Sequence, residues 1–297
     1  MKKKYLVITG GAGFVGSNLI RKLLQSTKYE LISIDNYSTG TKNNHIIDSR
    51  VKYIKSHTKN ISKILNRKKK EIKTIFHFGE FSRIYQSFLN MNDCINSNSI
   101  GTFEVFSFCL NNKIKLVYSA TSAAIGNNGN DKNLSPYAFT KAKNVELLEN
   151  LKKWFNFKFE IIYFYNVYGP GHISKGEMAT VIGIFEESYR NNTPIPVVKP
   201  GTQSRRFTHI DDTIKICIEA WKKNQCKHYS IFSKKTYTIL QVAKLFSGNI
   251  KYLLPRKGER FASALTKINS NSFLVKRYGK ISLKKYIYDF KLNMKTH

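Results

Sequence analysis

The sequence predicts an α/β chain: a doubly wound parallel sheet, followed by a smaller lobe built from the C-terminal half. Three observations lead there. Short apolar runs alternate with helix-spaced segments through the first half of the chain. A glycine-rich turn joins the first run to the first helical segment. After about residue 165, prolines and glycines break this rhythm into short pieces.

Taken in order, the first apolar run covers residues 4–9 and meets Gly10, Gly13 and Gly16, spaced G-x-x-G-x-x-G. An apolar, helix-spaced segment follows, and the next run, 30–35, closes on Asp35. This is a strand, a tight turn and a helix whose first amides, those of Phe14 and Val15 included, face an anion. A dinucleotide pyrophosphate is held in this way, which makes the sheet a Rossmann sheet. Asp35 stands about twenty residues beyond the turn, where a carboxylate accepts hydrogen bonds from both adenosine ribose hydroxyls and repels a 2′-phosphate. NAD is therefore the expected cofactor, in preference to NADP.

Further strands are expected at 51–54, 74–78, 115–119 and 159–164, with helices at 90–110 and 136–154 between them. Right-handed crossovers place ligands beyond the carboxyl ends of such strands. In the irregular half, Pro170, Gly171, Pro194, Pro196, Pro200 and Gly201 punctuate helical patterns at 178–190, 211–222, 239–246 and near the C-terminus. Residues 1–165 are thus read as the dinucleotide-binding domain. Residues 166–297 form mostly a substrate lobe, with some segments returning to the first domain.

Composition excludes several function classes. With 297 residues, 41% of them hydrophobic, the chain can bury a substantial core. It has no apolar run near the roughly twenty residues that span a bilayer. Lys2-Lys3-Lys4 before Leu6-Val-Ile8 is too short a pattern for a signal peptide. The net charge of +31 invites a nucleic-acid partner, but lysine outnumbers arginine about four to one and the lysines are scattered. The densest cluster, Arg67-Lys-Lys-Lys70, ends a helical segment, where positive charge complements the helix dipole. The field favours small anionic ligands instead. The four cysteines form no C-x-x-C pair and read as reduced cytosolic thiols, so a cytoplasmic location is expected. The seven histidines lack ligand spacing, and no metal site is expected.

The chemistry resides in a second motif, Tyr137-Ala-Phe-Thr-Lys141. Ser135 and Pro136 make a helix start, with serine as N-cap and proline in the first turn. Tyr137 and Lys141, four apart, then share one helix face. A free phenol, with a pKa of about 10, is a poor base at neutral pH. A nearby ammonium and a cationic nicotinamide ring pull that value toward working pH. Ser119-Ala-Thr-Ser122 ends a predicted strand, so its hydroxyls reach the same cleft. The Y-x-x-x-K spacing alone also occurs on ordinary amphipathic helices; the nucleotide turn and the hydroxyl cluster upstream favour catalysis.

With these motifs the chain resembles the extended short-chain dehydrogenase/reductases, specifically the NAD-dependent nucleotide-sugar epimerases and dehydratases. The resemblance runs through Asp35-Asn36, Phe76-His-Phe-Gly79, Asn98-Ser-Ile-Gly-Thr102, Tyr165-Asn-Val-Tyr-Gly-Pro170, Gly201-Thr-Gln-Ser-Arg205 and Phe207-Thr-His-Ile-Asp211. It implies that Tyr137 removes a proton from a sugar hydroxyl at C4 and that Lys141 binds the nicotinamide ribose. Thr121 matches the family's Ser/Thr that hydrogen-bonds the reacting oxygen, with Ser122 as the second candidate. Asn36, Phe78 and Gly79 join the cofactor wall. Asn166 matches a sugar-nucleotide contact, Arg205 matches a position facing the diphosphate, and Arg256 offers a second phosphate contact; a surface ion pair is the alternative for either arginine. Ser87 is placed on the sugar side of the cleft or, alternatively, as a helix-cap serine.

Within this family, dehydratases and decarboxylases usually carry an acid directly after the catalytic threonine. Here Ser122, Ala123 and Ala124 follow. The resemblance therefore implies a nucleotide-sugar 4-epimerase of the UDP-glucose/UDP-galactose type. A 4,6-dehydratase, a 4-keto-sugar reductase and a non-catalytic NAD-binding regulator are the other readings. The chain departs from the family pattern in four places. His57 stands where an Asp contacts adenine. Glu80 replaces a small or apolar residue and needs a partner, for which Arg83 is the nearest cation. The 126–135 loop is short, and Arg206 replaces an Asp. The resemblance also implies a homodimer through helices 90–110 and 136–154, unless Phe103, Phe106 and Phe108 serve the core instead.

Overall fold

The computed structural model describes residues 4–259 and 274–294. Its centre is an eight-stranded sheet, parallel at every pairing. The strands are β1 (Tyr5–Thr9), β2 (Glu30–Asp35), β3 (Val51–Lys55), β4 (Ile72–His77), β5 (Lys115–Thr121), β6 (Phe159–Phe164), β7 (His228–Phe232) and β8 (Leu274–Tyr278). Their spatial order is β8-β7-β6-β5-β4-β1-β2-β3. The winding reverses between β1 and β4, and a crevice opens there at the carboxyl ends.

β1 shows why these residues make a central strand. All five of its residues are buried, because parallel sheets are covered on both faces. Alternation then divides them: Tyr5 and Val7 join the cluster on one face, Leu6 and Ile8 that on the other. The first face is covered by the helical run 91–111 (α2) and by α3 (Pro136–Phe155). The second carries α1 (Phe14–Ser26) and α5 (Ile210–Lys223), and Trp221 Nε1 donates to Thr74 Oγ1 at 3.0 Å to tie α5 to β4. Cys94, Cys109 and Cys217 are buried, whereas Cys226 is only half-buried.

A third cluster forms the lobe from α4 (Val181–Arg190), α6 (Ile239–Phe246) and α7 (Leu283–Asn293), around Phe185, Phe207, Val242, Phe246 and Leu283. Three two-stranded ladders stitch this lobe together.

β7 and β8 come from the irregular half of the chain and extend the sheet. The run of β8, Leu-Val-Lys-Arg-Tyr, lacks a strand-like apolar pattern and, among the described residues, pairs with β7 alone at the sheet edge. The helix expected at 90–110 is interrupted by a π-helical segment, Asn96–Gly101. A side chain at Gly101 would lie 2.2 Å from Thr58 Oγ1, so this segment sits against the loop after β3.

Candidate active site

The glycine turn is built by close approach. Gly10 has φ +72°, the left-handed region open to glycine. A Cβ on Gly16 would lie 2.1 Å from the Gly10 carbonyl oxygen, and one on Gly10 would meet the Gly79 nitrogen at 2.8 Å. The turn is thus pressed between α1 and the end of β4, leaving a cradle that side chains would fill. Thr9 Oγ1 accepts the amides of Phe78 (3.1 Å) and Gly79 (3.0 Å), which fixes the ends of β1 and β4 together.

Asp35, at the end of β2, is 8% exposed. It accepts the amides of Ala12 at 3.0 Å and Tyr37 at 2.8 Å. Burial pushes its carboxyl up, and these amides oppose that shift. A carboxylate has about four lone-pair positions, so acceptor capacity remains for ribose hydroxyls. Asn36 accepts from Ser38, and His57 Nδ1 accepts the Lys59 amide at 3.1 Å, with burial lowering the imidazole pKa.

These residues line a cleft of about 940 Å³. It brings together Gly10, Gly13, Phe14, Val15, Gly16, Asp35, Asn36, His57, Phe78 and Gly79 at one end. Thr121, Ser122, Tyr137 and Lys141 line the same cleft, as do Asn166, Arg205 and Arg256. The cradle, the acceptor at Asp35 and the cleft's size fit a dinucleotide beside a second ligand.

α3 delivers Tyr137 and Lys141. The Ser135 hydroxyl accepts the Ala138 amide at 3.0 Å and Pro136 opens the first turn. Tyr137 lies in that first turn and Lys141 one turn on. Thr121 ends β5, where its hydroxyl accepts the Ala123 amide at 3.2 Å.

Two sequence expectations need revision. Glu80 does not pair with Arg83. Its carboxylate meets Lys141 Nζ, whose side chain is 4% exposed, and Lys141 also donates to the Ser119 carbonyl. Arg83 instead donates through Nε and Nη2 to the Met178 carbonyl, the Nε bond being 2.9 Å. Local proximity favoured Arg83, but the fold brings a residue from α3 to Glu80. Ser87 is not among the cleft-lining residues. It is fully buried, donates to the Ile84 carbonyl at 2.6 Å, and accepts the Tyr137 amide at 3.2 Å. It serves the start of α3, in line with the helix-cap alternative. Arg206 turns from the cleft to the carbonyls of Ser233 (2.7 Å) and Lys234 (3.0 Å), with its guanidinium over the Phe232 ring.

Three further cleft residues have partners of their own. Arg205 pairs with Glu259 at 2.9 Å, and Arg256 lies over the Tyr85 ring. Asn166, at φ +32°, donates to the Arg206 carbonyl at 2.9 Å. The sequence motif that begins at Asn98 gives that residue no role; its amide side chain bonds both backbone groups of Phe81 (2.7 and 3.1 Å) and so sets the loop carrying Glu80. Among the described residues, no group of three or more His, Cys, Asp or Glu side chains is placed to hold a metal ion. No helix among them is long and apolar enough to cross a membrane.

Comparison with known proteins places this geometry. The family model described as "NAD dependent epimerase/dehydratase family" matches residues 6–233. A putative UDP-glucose 4-epimerase of Methanocaldococcus jannaschii is 28% identical over 274 residues, spanning 86% of this chain and 87% of that protein. The UDP-N-acetylglucosamine 4-epimerase of Methanobrevibacter ruminantium, solved with UDP-N-acetylmuramic acid, has a TM-score of 0.84 at 24% identity, with both chains covered completely. The UDP-glucuronic acid 4-epimerase of Bacillus cereus, solved with UDP-glucuronic acid and NAD, also has a TM-score of 0.84, at 22% identity, covering 98% of this chain and 99% of that one. At these identities the solved structures share the fold.

Proposed function

The chain belongs to the NAD dependent epimerase/dehydratase family, and on that premise we propose that it is a nucleotide-sugar 4-epimerase of the UDP-glucose/UDP-galactose type. The observation that carries the proposal is the cleft itself. Thr121, Tyr137 and Lys141 share it with the glycine cradle, and Ser122, Ala123 and Ala124 follow the threonine with no acid among them. Elimination of water needs an added acid and base; inversion at C4 does not.

NAD, when bound, supplies the hydride acceptor and later the hydride donor. It would be held by the amides at Gly13–Gly16, by Asp35 on the adenosine ribose, and by Lys141 on the nicotinamide ribose. Tyr137 takes the proton from the sugar hydroxyl, and Thr121 holds the reacting oxygen. Arg205 and Arg256 face the diphosphate, where planar guanidinium groups match paired oxygens. Asn166 contacts the sugar nucleotide. The enzyme acts in the cytoplasm.

A second copy of the chain covers the apolar surface formed by Leu89, Met91, Ile95, Phe103 and Phe139, each more than a third exposed. Phe106 and Phe108 are buried and belong to the core. Light scattering at micromolar concentration should give the mass of two chains; the mass of one removes the dimer.

Asp35 sets the cofactor preference, so the purified chain should bind NAD more tightly than NADP, and the reverse order would count against its role. Nicotinamide absorbance followed with nucleotide sugar should show no net change. Steady oxidation of added NADH would instead identify a 4-keto-sugar reductase.

A further inference from the structure

We infer that the end of the sheet opposite the cleft is a docking surface for an anionic lipid membrane, built from a cluster of lysines and the exposed pair Trp154 and Phe155. The inference goes beyond the proposed function and needs neither NAD nor a sugar.

Topology gathers what the sequence scatters. The strands of the sheet are all parallel, so they start at one end, and the helices between them finish there. Lys73 is the second residue of β4, Lys115 the first of β5, and Lys158 directly precedes β6. Lys113 follows α2, and Lys222 lies in the last turn of α5. These lysines line one hollow of about 790 Å³ with Phe155, Phe157 and Trp221; among the described residues, no carboxylate lines it. The cleft at the other end is mixed, because Asp35, Glu80, Asp93, Glu177 and Glu259 accompany its cations.

Lys115 is paired: its Nζ donates to the Trp221 carbonyl at 2.8 Å and meets Glu160 at 3.3 Å. Lys73, Lys113, Lys158 and Lys222 are exposed, and among the described residues none of them forms an ion pair. The dipole of α5 suits Lys222, whose neighbour Lys223 already pairs with Glu219 at 2.8 Å. Four unpaired ammoniums around one hollow repel one another and draw anions to it.

The rings supply the second half of the surface. Trp154 and Phe155 end α3, 63% and 60% exposed, with ring centroids 6.3 Å apart. An indole has an apolar body and a polar N–H, which suits the headgroup layer of a membrane. Lipid phosphates there take the ammoniums while the rings enter the boundary beneath them. A free phosphate or nucleotide would satisfy the lysines and leave the rings in water. A second copy of the same face would bring like charges together. A nucleic acid matches less well, since no arginine is among the described residues of the hollow. Tyr137 and Phe139 lie at the other end of α3, about 22–27 Å along its axis from this pair. The docked chain therefore keeps its cleft turned away from the membrane and open to solution.

The test adds vesicles to the whole chain and follows co-sedimentation and tryptophan emission. Trp154 reports the contact, because the other tryptophan, Trp221, is only 8% exposed. Vesicles of phosphatidylglycerol mixed with phosphatidylcholine should bind the chain and move its emission to shorter wavelength. Pure phosphatidylcholine should bind it at least about tenfold more weakly, and added salt should weaken the anionic contact. Lys113→Gln with Lys158→Gln should weaken binding about 25-fold, at about fivefold for each lysine near the surface. Trp154→Ser with Phe155→Ser should weaken it on the order of tenfold. All four positions are exposed, so the thermal midpoint should stay near that of the parent. No binding to the anionic vesicles, an emission maximum that stays put, or binding unchanged in either double variant overturns the inference. So does a single-stranded oligonucleotide that binds more tightly than the vesicles through the same lysines, which assigns the face to nucleic acid. Vesicle binding involves no turnover, so failure of the epimerase reading would leave its outcome intact.

Discussion

Tyr137→Phe is expected to cut turnover of the nucleotide sugar by on the order of 10²–10⁴-fold, the usual contribution of a general base, with NAD affinity unchanged. The argument is that only the hydroxyl is lost. The start of α3 is fixed by the Ser135 cap, by Pro136 and by the bond from the Tyr137 amide to Ser87. All three use backbone or neighbouring groups that phenylalanine leaves in place. The loss should therefore fall on kcat, with the thermal midpoint near that of the parent. Equal turnover in the two proteins would remove Tyr137 from the mechanism.

Lys141→Met has the largest expected effect on stability. It strips the cation from a buried pair and leaves the Glu80 carboxylate with neutral donors only. Breaking a buried pair on one side costs about 3–5 kcal/mol. Urea denaturation should show that loss, and Lys141→Met combined with Glu80→Gln should recover most of it, because no buried charge then lacks a partner. The pH dependence has a definite sign. Burial holds the folded-state pKa of Glu80 up, and removing Lys141 removes the strongest opposing influence. A carboxyl whose folded pKa lies above its unfolded value costs stability at neutral pH, and the cost disappears as pH falls below the unfolded value of about 4.3. The deficit of the single variant should shrink in acid. A deficit that persists there, or a double variant no more stable than the single one, would deny that Glu80 and Lys141 are each other's counter-ion.

What the sequence made legible was local. The glycine spacing, the apolar run before it and Asp35 after it specify a strand, turn and helix with no long-range information, and β1, α1 and β2 follow them closely. Ser135-Pro136 likewise specifies where α3 begins. Cleft-lining positions carried over by motif, from Thr121 to Arg256, share one cavity because they stand at the carboxyl ends of neighbouring strands and on the loops that follow.

What stayed hidden depended on distant partners. In the sequence Glu80 calls for a cation, yet its partner is 61 residues away and reaches it because α3 packs against the first face of the sheet. Ser87 meets the Tyr137 amide across 50 residues, and no helix-cap rule foresees a cap supplied by another element. β7 and β8 are short and partly polar, and their strand character comes from pairing with the sheet edge. The π segment at Asn96–Gly101 ends in a close approach of Gly101 to Thr58, which no periodicity encodes.

The central claim is that a proton leaves a sugar hydroxyl to Tyr137 while the C4 hydrogen departs and returns within one closed cleft. The most direct measurement supplies UDP-glucose or UDP-galactose carrying deuterium at C4 to the purified chain, without added reductant, and analyses the products by chromatography and mass spectrometry. The account predicts the C4-inverted sugar with its deuterium retained. Label lost to solvent, a product lighter by one water, or no inversion of any UDP-sugar offered would contradict it.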